Sequence, residues 1–456
     1  MSQSKRSIIS FFKSHFWPQN DLLKNSFTLF TGATIGQLIP FIAGPLLSRL
    51  YTPADFGFFA LMSTTAGIAS IISTGSFEFA VIKATDEDAD DLVLLASTLS
   101  FVFSFISASI IFSILLIAEP WVNSQFGWVW MLVPLFIFFQ GLMNTLNYRL
   151  NRQSQYKEMA KGKMMRDFVM TFAQLLFGVL NFRWGLLPGV ICGQTSTNCF
   201  FLSKLKQGVR RAISRFSLKR MRLTFRKFYR FPLYLMPSQI INELSVQVPV
   251  YFLNFFFTNS AVGLYALPQK FLNVPVVLVG NSIGQVFFKD ATKYLHSPEE
   301  LKKITLSLFS MLFYIGVIPF SVVMVFGDSL IYWIFGQDWY QSGVYAQYLS
   351  PWLMFVLIGS PISRLFTVLD KQNESLWFNT ILLSVRIGGL AIGTFLFNSA
   401  DIAVKLFAIS GALYWIFLSF YILRMAKVKL WPVIVNTFII WSLVLFVLGF
   451  IRYTLL

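Results

Sequence analysis

LYTPADFGFFAL at residues 50–61 returns in altered form as FFTNSAVGLYAL at residues 256–267. Held at that offset of 206 without gaps, the identities are Thr52/Thr258, Gly57/Gly263, Ala60/Ala266, Leu61/Leu267, Ser76/Ser282 and Lys83/Lys289. A second echo follows in the same order, LNRQSQ at 150–155 against LDKQNE at 369–374, now at an offset of 219. Both echoes fall between hydrophobic runs and predict a duplicated helical bundle. Internal repeats with a cleft between the halves are a common architecture of secondary transporters.

Composition places those runs in a membrane. Apolar residues make up 56% of the chain, charged residues 12%, and the mean hydropathy is +0.65. A soluble domain carries about 25% charged residues. Runs of roughly 20 apolar residues suffice to cross a bilayer, and about thirteen are read here: 25–49, 56–82, 92–118, 127–149, 164–182, 185–203, 232–257, 262–288, 304–326, 340–368, 375–397, 401–423 and 431–451. They are long and unbroken, so helices are expected rather than the ~10-residue alternation of a barrel. The fold class expected is an all-α integral membrane protein.

Charge sets the orientation. With the N-terminus inside, all but six of the 37 Lys and Arg residues fall in the N-terminal tail, in the even-numbered loops or at the span ends that border them. Arg49, Arg183 and Arg452 fall outside, and Lys270, Arg386 and Lys405 lie within spans. That is the positive-inside pattern, and the net charge of +17 implies attraction to anionic membrane lipids. It argues against nucleic acid as a partner, because the charge follows loops instead of one folded basic face. Residues 1–24 are expected to form an interfacial helix or a tail on the inner side. Six spans (25–203) precede the basic stretch 204–230, which holds eleven Lys/Arg and no acid; 231–423 are expected to form a second lobe, and 424–456 to add an extra span. An even number of spans per half makes the repeats parallel. The linker is read as an amphipathic helix on the inner leaflet or a tether.

Polar residues concentrate in spans one, two, seven and eight: Gln37 in the first, a Ser/Thr series in the second, Asn242, Glu243 and Gln247 in the seventh, and Lys270, Asn281 and Gln285 in the eighth. Lipid offers no hydrogen bonds, so such faces should turn to helix partners or to a water-filled cavity. Arg386, Glu243 and Lys270 are the deepest ionisable residues. An unpaired charge at the bilayer centre costs ~2.5–3.5 kcal/mol on insertion scales and therefore faces a cavity or a partner. Arg386 is read either as a buried ion pair or carbonyl clamp, or as an anion site suited to phosphate oxygens; Lys270 fits the same role. Glu243 is the candidate for ion coupling, because low dielectric raises a carboxylate's affinity for protons. Arg49 and Lys83 sit at span ends, where headgroup snorkelling is the default, and Glu78 is read as a neighbour of Lys83.

Other chemistries find little support. The acidic run Asp86–Asp91 reads as a short solvated loop, not a glycosyltransferase metal site. His15 and His296 have no ligand spacing, Cys192 and Cys199 lie ~10 Å apart on one helix, and no phosphate-cradling or dinucleotide motif is present. The longest outer loop, about 327–339, leaves no room for an outer catalytic domain. No cofactor, no metal and no enzyme activity are expected.

At this point the residues resemble a known family. RLYTPADFGFFAL at 49–61 after KNSFTLFTGATIGQLIPFIAGPLLS, YRFPLYLMPSQIINELSVQVPVYFL at 229–253, GLYALPQKFLNVPVVLVGNSIGQVFFKDA at 263–291 and IFGQDW at 334–339 look like the bacterial polysaccharide and O-antigen transporters, the Wzx-type flippases. The resemblance implies two six-helix lobes around a V-shaped cavity, in a superfamily shared with multidrug exporters and lipid II flippases. It implies as substrate an undecaprenyl-diphosphate-linked oligosaccharide, moved from the inner to the outer leaflet of the cytoplasmic membrane, with polysaccharide polymerase and chain-length machinery as neighbours. It further implies cationic cavity residues that engage the diphosphate; Arg386 and Lys270 are the nearest by position, with Arg49 behind them. The competing readings are a cation-coupled drug or metabolite antiporter of the same superfamily and a membrane sugar polymerase or ligase.

Overall fold

The computed structural model describes residue 36 and residues 38–117, 127–214 and 216–455. The expectations for residues 1–24 and for Gln37 lie outside the described residues. Every helix expected from hydropathy is present over the described part. Leu38–Leu50 (α1) is followed by Pro53–Thr74 (α2), Phe77–Lys83 (α3), Asp86–Ile117 (α4), Leu132–Arg152 (α5), Tyr156–Val179 (α6) and Leu186–Lys204 (α7). Two short helices, Lys206–Ser214 (α8) and Leu218–Lys227 (α9), precede Met236–Phe256 (α10) and Asn259–Lys293 (α11). Pro298–Phe335 (α12), Tyr340–Ile362 (α13), Leu365–Val368 (α14), Gln372–Phe395 (α15), Ala400–Met425 (α16) and Leu430–Leu455 (α17) complete the chain. No strand occurs among the described residues.

Nine of the described helices are long and apolar enough to cross a membrane. Of the four remaining expected spans, 25–49 is described only in part, as the shorter apolar helix α1, and the others contain α6, α7 and α10, whose hydropathy is lowered by charged and amide side chains such as Lys163, Arg166, Asp167, Gln194, Asn198 and Glu243. These polar groups are used. Gln194 donates to Gln140 at 2.6 Å and Asn198 to the Phe139 carbonyl at 2.9 Å, bonds that hold helices together where lipid supplies no alternative partner.

The chain divides into two compact units. One gathers the residues up to Tyr51 with Phe58–Val248; the other gathers Thr52–Gly57 with Pro249–Leu456. In the first unit α6 lies along α7, α5 packs on both α4 and α7, and α3 fills the angle between α4 and α5. In the second, α13 is the hub, wrapped by α11, α12 and α16, and α15 lies on α16. The last helix, α17, leans on α12. Arg452 there pairs with Asp328 at 2.7 Å, and Gln347 adds a bond to the same carboxylate at 3.0 Å.

The repeated letters acquire physical meaning. Thr52 accepts from the Asp55 amide at 3.3 Å, with Asp55 reaching back to the Thr52 amide at 2.9 Å. Thr258 likewise accepts from the Ala261 amide at 3.2 Å. Both threonines are N-caps that satisfy free amides at the start of a helix. Gly57 and Gly263 mark a close crossing inside the second unit. A Cβ on Gly57 would collide with the Asn259 carbonyl, and one on Gly263 with the Pro53 carbonyl. Pro53 and Asn259 are themselves equivalent at the offset of 206, so the two collisions mirror each other.

The second echo needs realignment. Ser154 and Asp370 both adopt left-handed backbone, with φ 55° and 54°. The amide of Gln155 bonds the Leu150 carbonyl at 3.0 Å, and that of Lys371 the Phe366 carbonyl at 2.8 Å. These are matching Schellman ends, related by an offset of 216 and not the 219 suggested by the letters. The letters matched because any polar helix end draws on the same few residues; the left-handed position fixes the true register.

Three further expectations change. The outer loop at about 327–339 is mostly helix, since α12 continues to Phe335 before Gly336 turns the chain at φ 102°. The second span is broken at Gly75 and Ser76, with φ 60° and 56°. The acidic run is no loop: Asp86–Asp91 form the opening turns of α4, where carboxylates favour the positive end of the helix dipole. Prolines inside helices leave carbonyls without their usual amide. Pro268 in α11 frees the Leu264 carbonyl, and the Ser342 hydroxyl of α13 occupies it at 2.5 Å.

Candidate functional site

In the second unit, four helices converge on Arg386. Its guanidinium lies over the Trp352 ring of α13, 5.3 Å from the centroid, and Tyr265 of α11 and Tyr414 of α16 are close enough to interact with its charge. Phe407 stands edge-on to Trp352 at 5.1 Å and to Tyr265 at 6.1 Å. Stacking on aromatic faces suits a planar, weakly hydrated cation. No carboxylate or carbonyl accepts from Arg386 among the described residues. Three buried atoms lack a hydrogen-bond partner: Nε of Arg386, the Tyr265 hydroxyl and Nε1 of Trp352. The arginine and indole nitrogens are donors only, and the phenol can also donate. Buried donors of this kind are normally satisfied, so the cluster suits an acceptor-rich ligand.

In the first unit, Glu243 and Gln247 are brought together. Nε2 of Gln247 donates to Glu243 at 2.9 Å, and the Thr64 hydroxyl reaches Gln247 Oε1 at 3.4 Å, which ties α10 to α2. Glu243 is only half-buried. Asn242, one residue earlier, is exposed, and so are Lys270 on α11 and Arg49 near the end of α1. Asn281 and Gln285 lie on α11, with side chains outside the described ones. Arg386 and Lys270 therefore share a unit, whereas Glu243 belongs to the other.

Sequence reading missed three charged groupings in the first unit. Glu78 forms no ion pair with Lys83, which is exposed; its carboxyl is buried, at 4% exposure, and Oε2 lacks a partner. A lone acid one residue after a Gly75-Ser76-Phe77 break is the signal that could have singled it out. Asp167 is buried beside Arg166, with Nη2–Oδ1 at 2.8 Å. Finally, the acidic turns of α4 are clasped by basic residues. Arg149 pairs with Asp90 at 2.8 Å, Arg220 with Asp91 at 2.6 Å, and Lys227 with Asp88 at 2.6 Å. The basic stretch 204–230 is thus two helices, partly neutralised by these acids. At the start of α6, burial would lift the Glu158 pKa, but hydrogen bonds from Lys161 and Lys204 outweigh it and hold the carboxyl below the usual range. Loops two, four and six consequently meet at one end of the unit, as alternating spans require.

A sequence profile described as "Polysaccharide biosynthesis protein" matches residues 46–343. No curated protein sequence matches the chain. Among solved structures, the chain is similar to the lipid II flippase MurJ in an inward closed conformation (15% identity, 95% of this chain and 99% of that one, TM-score 0.60). It is similar to an inward-facing multidrug resistance MATE family transporter of the MOP superfamily (14% identity, 88% and 94%, TM-score 0.60). A third is a MOP superfamily transporter from Pyrococcus furiosus (13% identity, 89% and 97%, TM-score 0.58). At such identities the likeness establishes the fold. The chain is a multi-pass membrane protein of the MOP transporter fold, and it belongs to the polysaccharide biosynthesis protein family.

Proposed function

We propose that this protein is a flippase that carries undecaprenyl-diphosphate-linked oligosaccharide repeat units from the inner to the outer leaflet of the cytoplasmic membrane. Two lobes, 25–203 and 231–423, would alternate access to a cavity while the polyprenyl tail stays in lipid, with the linker 204–230 and the N-terminus on the cytoplasmic side. The observation that carries this reading is the donor-rich cluster around Arg386 in a chain of the polysaccharide family. Arg386 stacks on Trp352 and meets no acid among the described residues, which suits a diphosphate's oxygens. An antiporter for cationic drugs would instead favour a carboxylate at this place.

The test is reconstitution of the purified protein in vesicles, following a fluorescent diphosphate-linked oligosaccharide between leaflets under an imposed proton or sodium gradient. Wild type transfers it, Arg386→Ala does not, and Arg386→Lys retains a fraction, because an ammonium keeps the charge but loses the planar fork. Efflux of cationic dyes with no lipid transfer would reverse the ranking in favour of the antiporter.

A further inference from the structure

We propose that Glu78 is a proton-binding carboxyl, and that its protonation is linked to movement of the broken second span. The inference deepens the reading above by naming a coupling ion and its site, and it rests on that reading only for the transport it drives. Glu243, favoured by sequence, is half-buried and hydrogen-bonded to Gln247. Glu78 is enclosed, at 4% exposure. The Thr74 hydroxyl lies beside the carboxyl, and Oε2 has no hydrogen-bond partner. The neighbouring Ser76 hydroxyl is also buried and unpartnered.

Among the described residues, the surroundings supply no compensating cation. α3 packs on α4, on α5 and on the turn Phe231–Leu235. From α5, Tyr148 is the titratable group facing Glu78. Arg149 and Arg152 of the same helix are turned away, to Asp90 and Asp86, and Arg152 also donates to the Val81 and Ile82 carbonyls. From α4, Asp88 and Asp91 are engaged by Lys227 and Arg220, and Glu87 lies at 4.0 Å from Arg220. Tyr234 of the turn and Lys83 of α3 itself are exposed. A carboxylate left ionised here would be a buried, unpaired charge, a state proteins avoid by keeping the proton. In its neutral form the group can donate as well as accept, which answers the unpartnered oxygens around it.

The position gives protonation a lever. Glu78 follows two consecutive left-handed residues, Gly75 and Ser76, a conformation that costs a residue with a Cβ such as Ser76 about 1–3 kcal/mol and persists only while its surroundings hold it. Loss of the proton requires the carboxylate to reach water, so α3 must shift about this break; uptake of the proton lets it close again.

The decisive experiment uses the full chain in vesicles and reads the proton apart from the cargo. Difference infrared spectroscopy across a pH titration should show a protonated carboxyl stretch near neutrality that is absent in Glu78→Gln and kept in Glu243→Gln. Glu78→Gln is nearly isosteric with the neutral acid, so it should fold, and Glu78→Asp should shift the band without removing it. In the transport assay, a gradient of one pH unit supplies about a tenfold bias per proton; wild type should respond and Glu78→Gln should not. A band unchanged in Glu78→Gln, an equal response of both proteins to the gradient, or a strict need for sodium in place of protons would each overturn the proposal. Wild type that flips no lipid yet shows the band would strike the transport reading and leave the proton site standing.

Discussion

Arg149 and Asp90 form a pair whose worth can be measured by taking it apart. Arg149 is 3% exposed and Asp90 8%. Nε and Nη2 of the arginine reach the same carboxylate oxygen at 2.9 and 2.8 Å. Breaking a buried pair from one side strands the other charge, at a cost of about 3–5 kcal/mol, whereas replacing both partners by apolar groups of similar volume is often neutral. Here each survivor keeps a weak second partner. Asp90 lies 3.6 Å from Arg211, and Arg149 lies 3.6 Å from Asp86, both well exposed to water. The singles Arg149→Met and Asp90→Leu should therefore fall at the low end, about 3 kcal/mol each. The double variant should lie within ~1 kcal/mol of wild type. Unfolding free energies of the purified protein in mixed micelles, arranged as a double-mutant cycle, give the coupling directly. If the double variant loses the sum of the two singles, the pair has no specific worth and the reasoning fails.

Other sites make sharper, smaller demands. Gly263→Leu places a side chain against the Pro53 carbonyl, which cannot swing aside like a side-chain tip; overpacking of this kind costs about 1–3 kcal/mol or more, and the yield of monodisperse protein should collapse while Gly449→Leu, in open space, is tolerated. Ser342→Ala should cost ~1–3 kcal/mol by stranding the Leu264 carbonyl, visible as a lower melting temperature that Ser342→Thr largely restores. Arg452→Ala removes a charge-assisted bond worth ~1.5–3 kcal/mol from a helix with little else buried. In a chain split after Lys429, the segment 430–456 should then stop co-purifying with the rest, and persistence of co-purification would refute the anchor.

Much of this architecture was legible in the residues for a simple reason: hydrocarbon enforces long apolar runs, and every such run holds a helix. The cap threonines and the crossing glycines were visible because a duplicated chain repeats the residues that backbone geometry demands. What stayed hidden depends on partners distant in sequence. Asp86–Asp91 read as solvated because their counter-charges lie mostly at Arg149, Arg220 and Lys227, beyond any local pattern. Glu78 reads as a neighbour of Lys83, one turn on, whereas the folded chain buries it just after the break at Gly75 and Ser76. Arg386 stands out in the sequence by depth alone; its ring of Tyr265, Trp352, Phe407 and Tyr414 comes from three other helices. Asn281 and Gln285, which lie on α11, are proposals for the cavity lining, as is Gln37, which lies outside the described residues.

The Ser342–Leu264 bond bears on how the long helix α11 can move. A proline kink ordinarily leaves a bare carbonyl, and any change of curvature in lipid would alter its exposure to hydrocarbon. With a hydroxyl from the hub helix seated on that carbonyl, the proline position can serve as a fulcrum. The arm before Pro268 carries Tyr265, held beside Arg386; the arm beyond carries Lys270 and runs on to Lys293. Swinging of the far arm can thus proceed like a lever, without disturbing the aromatic ring around Arg386 and without opening a polar defect to the lipid.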